Sequence, residues 1–219
     1  MVILGVAQQA RRQDRYSVSV EDEAGTRVRL VVSDEFALRR RLREGDQLDS
    51  EAGAELIEAA GRCTAYDRAM NALASRGRSI KELERWLRQR GIAPSHIAPT
   101  IARLTKLGLL DDARYAQELV RSRVAGRGTS VWSLRRDLSR RGVERLLADE
   151  AINAAMVEGG VDELAIARRE AAKKWRTLSR LDRVVARRRL MAFLLRRGFP
   201  GDVVQMVSRE LLREADGTA

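Results

Sequence analysis

The stretch Leu83-Glu-Arg-Trp-Leu87-Arg-Gln-Arg90-Gly91-Ile92 decides the fold, because the chain repeats its pattern twice. It returns as Leu134-Arg-Arg-Asp-Leu138-Ser-Arg-Arg141-Gly142-Val143 and as Leu190-Met-Ala-Phe-Leu194-Leu-Arg-Arg197-Gly198-Phe199. Each copy has Leu eight and four residues before a glycine, Arg directly before it and an apolar residue after it. Leucines one turn apart share a helix face, and a following glycine suits the left-handed position that ends a helix. The glycines stand 51 and 56 residues apart. Such a period marks an array of supersecondary units that bury their apolar faces against one another. Function is then expected on an extended surface, not in one pocket.

Outward from this phrase, each repeat reads as a run of helices. Ser79-Ile-Lys-Glu82 forms a capping box ahead of a helix that turns Leu83, Trp86 and Leu87 inward. A second helix carries Ile97, Ile101 and Leu104 and stops at Gly108; Asp111 or Asp112 caps a third with Tyr115, Ala116 and Leu119. The next repeat starts at Ser130, ends its first helix at Gly142 and lines its second with Leu146, Leu147 and Ile152. Gly159-Gly160 break the chain, and Asp162 opens a helix through about Trp175. The last repeat begins at Ser179 and Asp182, runs to Gly198, and continues with Val203, Val204 and Val207 but no third helix.

Ahead of the array, Tyr16, Val18 and Val20 alternate with polar residues, as do Val28, Leu30 and Val32. Asp22-Glu-Ala-Gly25 offers the turn of a strand pair. A short helix from Asp34 with Leu38 and Leu42 ends at Gly45. Residues 51–75 form another, with Leu56, Ile57, Ala60, Tyr66, Met70 and Leu73 on one side. The expected fold is mostly α, a tandem array of three-helix repeats preceded by a small β-hairpin-containing N-terminal module. The expected divisions are an acidic module at 1–60 and repeats at 61–126, 127–177 and, truncated, 178–219.

Charge says where a partner binds. The 219-residue chain has a net charge of +11, yet residues 1–60 sum to −3 and residues 61–219 to +14. The positive excess lies in the repeats, which are therefore the expected site for a polyanion. Lysine occurs only at 81, 106, 173 and 174; the other basic residues are arginine. A guanidinium fork grips phosphate or carboxylate with two bonds. GC-rich codon usage also accounts for the Arg to Lys ratio, but not for the net charge. Cys63 and His96 are the sole cysteine and histidine, so neither an intrachain disulfide nor a Cys/His metal site can form. Both are expected to be structural. Met1–Ala7 is too short for a signal peptide and no apolar run approaches membrane-spanning length, so a cytoplasmic location is expected.

Three residue sets could carry function. The first is the basic faces of the repeated helices: Arg85, Arg88 and Arg90; Arg135, Arg136, Arg140 and Arg141; Arg187, Arg188, Arg189, Arg196 and Arg197. The bland alternative is a solvated charged face, which the single sign of the excess disfavours. The second is Trp86, Trp132 and Trp175 as stacking platforms; Trp86, next to the leucine stripe, is expected in the core and Trp132 more open. The third is the acid pairs Asp111-Asp112 and Asp162-Glu163, which suggest metal chemistry but sit where acids cap helices. No Walker loop, nucleophile elbow or zinc signature occurs. Neither an enzyme nor a cofactor is expected.

The runs Ser79–Ile92, Leu104-Thr-Lys-Leu107-Gly108-Leu109-Leu110-Asp111-Asp112-Ala113-Arg114-Tyr115-Ala116 and Val120-Arg-Ser-Arg123 resemble the RecX family of regulatory proteins. So do Leu134…Leu138…Arg141-Gly142-Val143 and the ending Phe193-Leu-Leu-Arg-Arg197-Gly198-Phe199. The resemblance spans about residues 66–213, in order and at matching spacing, and departs at Trp132, where a polar or basic residue is expected. It implies a monomeric bacterial modulator that binds the RecA recombinase filament on single-stranded DNA, and duplex with weaker specificity. Such a protein blocks ATP hydrolysis, strand exchange and the SOS co-protease. The alternative is a stand-alone helix-turn-helix DNA-binding protein, although Pro94–Lys106 and Glu144–Val157 are poor in base-reading side chains.

Overall fold

The computed structural model of the protein describes residues 1–126, 129–159, 162–178 and 180–217. It begins with three strands, β1 (Val2–Gln9), β2 (Arg12–Glu21) and β3 (Arg27–Ser33), in one antiparallel sheet of order β1-β2-β3. Ten helices follow among the described residues: α1 (Asp34–Arg40), α2 (Ser50–Ser75), α3 (Ile80–Gln89), α4 (Pro94–Lys106), α5 (Asp112–Gly126), α6 (Val131–Arg141), α7 (Arg145–Gly159), α8 (Glu163–Arg176), α9 (Arg183–Arg196) and α10 (Gly201–Gly217). The contacts gather into two units. The first comprises Met1–Arg78 and Glu82–Leu110; the second comprises Ser79–Lys81 and Asp111–Ala219.

In the first unit, β2 and β3 are the expected hairpin, with Val20 opposite Val28 and Val18 opposite Leu30. The added strand β1 pairs Val6 with Val18 and is kinked by register shifts at Ile3/Gly5 and Gln8/Gln9. It escapes the alternation rule because Val2-Ile3-Leu4-Gly5-Val6 is nearly all apolar. Ile3, Val18, Val20 and Val32 pack with Phe36, Ala37, Leu56, Ala59 and Ala60 into this unit's sheet-side core.

Helix α1 ends earlier than expected. Arg41 takes the left-handed cap at φ 49°, ahead of Gly45, and Phe36 and Ala37 are buried while Leu38 faces solvent. Helix α2 runs unbroken across residue 60. Its buried stripe is Leu56, Ala59, Ala60, Cys63, Ala65, Ala69 and Ala72, and Ile57 is exposed. Small side chains let neighbours approach closely: a Cβ on Gly61 would lie 2.1 Å from His96 Nε2, so the lone histidine, in the first turn of α4, is seated on the α2 backbone. Nearby, buried Arg15 forks onto Asp67 through Nη2 at 2.6 Å and Nε at 3.2 Å. Burial, aided by Asp67, pushes the Cys63 thiol up to about 11.

The expected leucines are core residues: Leu83, Leu87, Leu138, Leu190 and Leu194 have no exposed surface and Leu134 almost none. Of the residues expected on the inner face of α7, Ile152 is buried but Leu146 is exposed, and Ala148 and Ala151 complete the buried face. The phase of the array also differs from expectation. In the second unit α5 packs on α6 and α7, and α8 packs on α9 and α10. In this unit the Gly-terminated helices α6 and α9 therefore group with the helix before them, and the last group has three helices. The sequence phrase marks the middle helix, which left the start of each group undefined. Gly160 and Ser179, expected in a break and at a start, lie outside the described residues.

One junction occurs twice in the second unit. Ser130 caps α6 by accepting from the Ser133 N–H at 3.2 Å, and its hydroxyl donates to the Arg197 carbonyl at 2.8 Å. The Val131 N–H donates to Glu163 at 3.1 Å. Likewise the Ser79 hydroxyl donates to the Arg141 carbonyl, and the Ile80 N–H to Asp112 at 2.8 Å. The carbonyls of the Arg-Gly helix ends are thus held by serines from the previous repeat, which satisfies backbone acceptors that a helix terminus leaves open. At the same junctions a Cβ on Gly142 would lie 2.5 Å from Lys81 Cβ, and one on Gly198 would lie 2.3 Å from Trp132 Cε3. Both glycines have positive φ, 80° and 82°.

Candidate functional site

The acid pairs divide their labour. Asp111 accepts from the N–H groups of Ala113 and Arg114 at 2.9 and 3.1 Å, and Asp162 from those of Leu164 and Ala165 at 2.9 and 3.1 Å. The second acid of each pair, Asp112 or Glu163, holds the start of the previous Gly-terminated helix. These carboxylates are accounted for by helix capping. Among the described residues no group of three or more potential ligands could hold a metal.

The arginines fall into two kinds. Several are engaged within the protein. Arg135 reaches Asp149 at 2.6 Å, and that hydrogen bond, with Arg145 nearby, holds the Asp149 carboxyl below its ordinary range. Arg141 donates to the Tyr115 hydroxyl at 2.8 Å. Arg197 pairs with the buried Glu170 carboxylate and lies over Phe193 at 5.1 Å. Arg90 stacks on Trp86 at 3.9 Å, with Arg78 at 5.3 Å, so Trp86 is half-buried beneath guanidinium groups and not a core residue. Arg85 and Arg140 are exposed but have partners of their own.

The other kind is free. Arg88, Arg187, Arg188, Arg189 and Arg196 are exposed and have no ion pair among the described residues. Arg136 is half-buried with its guanidinium 4.5 Å over the Trp132 ring, and its Nε is enclosed without an acceptor. Trp132 remains half exposed, though Gly198 and Arg136 both pack on its ring. Trp175 packs against the second unit's core.

The second unit brings some of these side chains together. A cleft of about 670 Å³ is lined by Arg123, Arg136, Arg196 and Arg197, with Ser122, Thr129, Ser130 and Ser133 supplying hydroxyls. Its one acid is Asp137, which Arg123 approaches at 3.5 Å. Helix α5 brings Arg123, α6 brings Arg136, and the end of α9 brings Arg196 and Arg197; the serine–carbonyl junction holds α6 and α9 together. Arg123 is absent from the sequence-derived set, although it closes the Val120-Arg-Ser-Arg123 run. Its signal is a basic residue late in α5, a helix that carries no repeated glycine phrase. Arg187, Arg188 and Arg189 do not line this cleft.

Among the described residues no helix is long and apolar enough to cross a membrane. Sequence profiles of the first, second and third three-helix domains of RecX match residues 65–104, 111–152 and 161–207. The last two cover α5, α6 and the first half of α7, and α8, α9 and the start of α10. A regulatory protein RecX of Amycolatopsis mediterranei (strain U-32) is 36% identical over 145 residues, covering 65% of this chain and 79% of that protein. One of Lactobacillus delbrueckii subsp. bulgaricus is 29% identical over 219 residues, covering 99% of this chain and 77% of the relative. A crystal structure of regulatory protein RecX shares the fold at a TM-score of 0.74, with 21% identity over 95% of this chain and 98% of that one. RecX from Lactobacillus salivarius aligns at a TM-score of 0.60 over 70% of this chain and 97% of its own, with 24% identity. With three domains matched in order across more than half of its residues, the chain belongs to the RecX family of regulatory proteins.

Proposed function

We propose that this chain binds the RecA–single-stranded DNA filament in the cytoplasm, as a monomer, and holds back its ATP hydrolysis, strand exchange and SOS co-protease activity. Membership of the RecX family carries this reading. The charge pattern supports it: the positive excess lies in the repeats, and the unpaired arginines Arg88, Arg187, Arg188, Arg189 and Arg196 leave cationic groups available to phosphates or acidic side chains. Regulation here needs no catalytic group. A protein that prefers one state of a filament shifts its equilibrium by the difference in affinity alone. The test is a pull-down of purified RecA by the tagged chain, with and without single-stranded DNA and ATP. Retention should be strongest with both present. No retention under any condition would refute the reading.

A further inference from the structure

We propose that the cleft between α5, α6 and the end of α9 is a seat for one backbone phosphate of a single-stranded nucleic acid. The inference deepens the filament reading and rests on it for the choice of a strand as ligand. Four guanidinium groups, from Arg123, Arg136, Arg196 and Arg197, face one space of about 670 Å³ that contains a single acid, Asp137. Two of them are already neutralised in part, Arg123 by Asp137 and Arg197 by Glu170. The other two have no anionic partner among the described residues. Arg196 is exposed at the rim, and Arg136 lies stacked and half-buried inside, its Nε enclosed with no acceptor.

The enclosed Arg136 Nε without an acceptor is unusual, because buried donors are nearly always bonded. Stacking on Trp132 fixes the plane of the Arg136 guanidinium, and a phosphate in the cleft would accept from its terminal nitrogens, with Arg196 closing from the rim. Ser133 does not compete for that anion as a donor, since its hydroxyl is committed to the Arg197 carbonyl at 2.8 Å. The side chains that line the cleft are mostly polar or cationic, with Leu119 and Phe199 the apolar exceptions. This favours the shared phosphodiester over sequence readout, as filament binding requires.

The experiment measures binding of a fluorescent single-stranded oligonucleotide by anisotropy across a salt series, for wild type and for Arg136→Gln, Arg196→Gln and Arg209→Gln. Arg209 is exposed on α10, carries the same charge and does not line the cleft. Arg136→Gln and Arg196→Gln should each weaken binding about tenfold or more and flatten the slope of log K against log salt by about 0.7, one phosphate contact. Arg209→Gln should change affinity by less than about threefold. Circular dichroism checks folding; if Arg136→Gln is unfolded, Arg136→Lys and the rim variant Arg196→Gln read the same seat. Wild-type affinity and slope in the cleft variants would overturn the proposal, as would an equal loss from Arg209→Gln. Micromolar binding of inorganic phosphate or a mononucleotide that displaces the oligonucleotide would overturn the assignment to a strand. The RecA pull-down is scored separately. Loss of RecA retention with oligonucleotide binding intact in wild type leaves the seat standing and removes the filament reading.

Discussion

Replacing the three phrase-ending glycines by alanine separates two costs that the sequence merges. Gly91, Gly142 and Gly198 have φ of 75°, 80° and 82°, so the penalty for a Cβ in the left-handed region is nearly the same in each, about 1–2 kcal/mol. Their surroundings differ. A Cβ on Gly91 meets nothing within 4 Å. On Gly142 it would lie 2.5 Å from Lys81 Cβ, an atom fixed to the backbone. On Gly198 it would lie 2.3 Å from Trp132 Cε3 and 3.0 Å from Ser130 Oγ. Overpacking of this kind adds about 1–3 kcal/mol. Gly91→Ala should therefore cost about 1–2 kcal/mol, and Gly142→Ala and Gly198→Ala about 2–5 kcal/mol. Urea unfolding followed by circular dichroism reads this directly, each shift taken on the transition of its own unit. With a slope of about 2 kcal/mol per molar, the midpoint should fall by about 0.5–1 M for Gly91→Ala and about 1–2.5 M for the other two. Equal losses at all three would refute the claim that the second and third glycines are contact points between repeats as well as caps.

Other outcomes follow from the same contacts. Ser130→Ala removes a cap and a buried donor to the Arg197 carbonyl, and should cost about 1–2 kcal/mol in urea unfolding. The Asp149 carboxyl is held low by Arg135, so its contribution is complete above the unfolded carboxylate pKa and is lost as pH falls through the folded one. Asp149→Asn should therefore flatten the acid limb of the stability curve and leave the alkaline limb unchanged. The Cys63 thiol is raised to about 11, so its contribution is present at neutral pH and declines as pH climbs from the unfolded thiol value, about 8.5, through 11. Cys63→Ala should lessen that alkaline loss, and iodoacetamide should label native Cys63 far more slowly than the denatured chain.

The helices were legible because leucines at fixed distance from a glycine state both the buried face and the terminus. Leu83, Leu87, Leu134, Leu138, Leu190 and Leu194 are all core residues, and Gly91, Gly142 and Gly198 all have positive φ. The phase of the array was not legible, since α5 and α8 pack with the helices that follow them through Ala116, Val120, Ile166 and Ala167, a pattern without a repeated phrase. Strand β1 and the alanine face of α2 were hidden for related reasons: one is too uniformly apolar to alternate, and the other buries side chains too small to stand out. At the candidate site, composition located the charge but not its partners. That Arg135 meets Asp149 and Arg197 meets Glu170, while Arg136 and Arg196 meet no acid among the described residues, depends on how neighbouring helices pack within each group. Reversing Arg135, Arg136, Arg140 and Arg141 together would accordingly disturb the fold as well as the surface, because Glu at 135 would face Asp149.

The most direct test of the central claim is RecA-catalysed ATP hydrolysis on single-stranded DNA, titrated with the purified chain at fixed salt. The rate should fall with dose, reach completion at substoichiometric or stoichiometric protein, and need more protein as salt is raised. A hydrolysis rate unchanged by excess folded protein, at low salt as well as physiological salt, would contradict it.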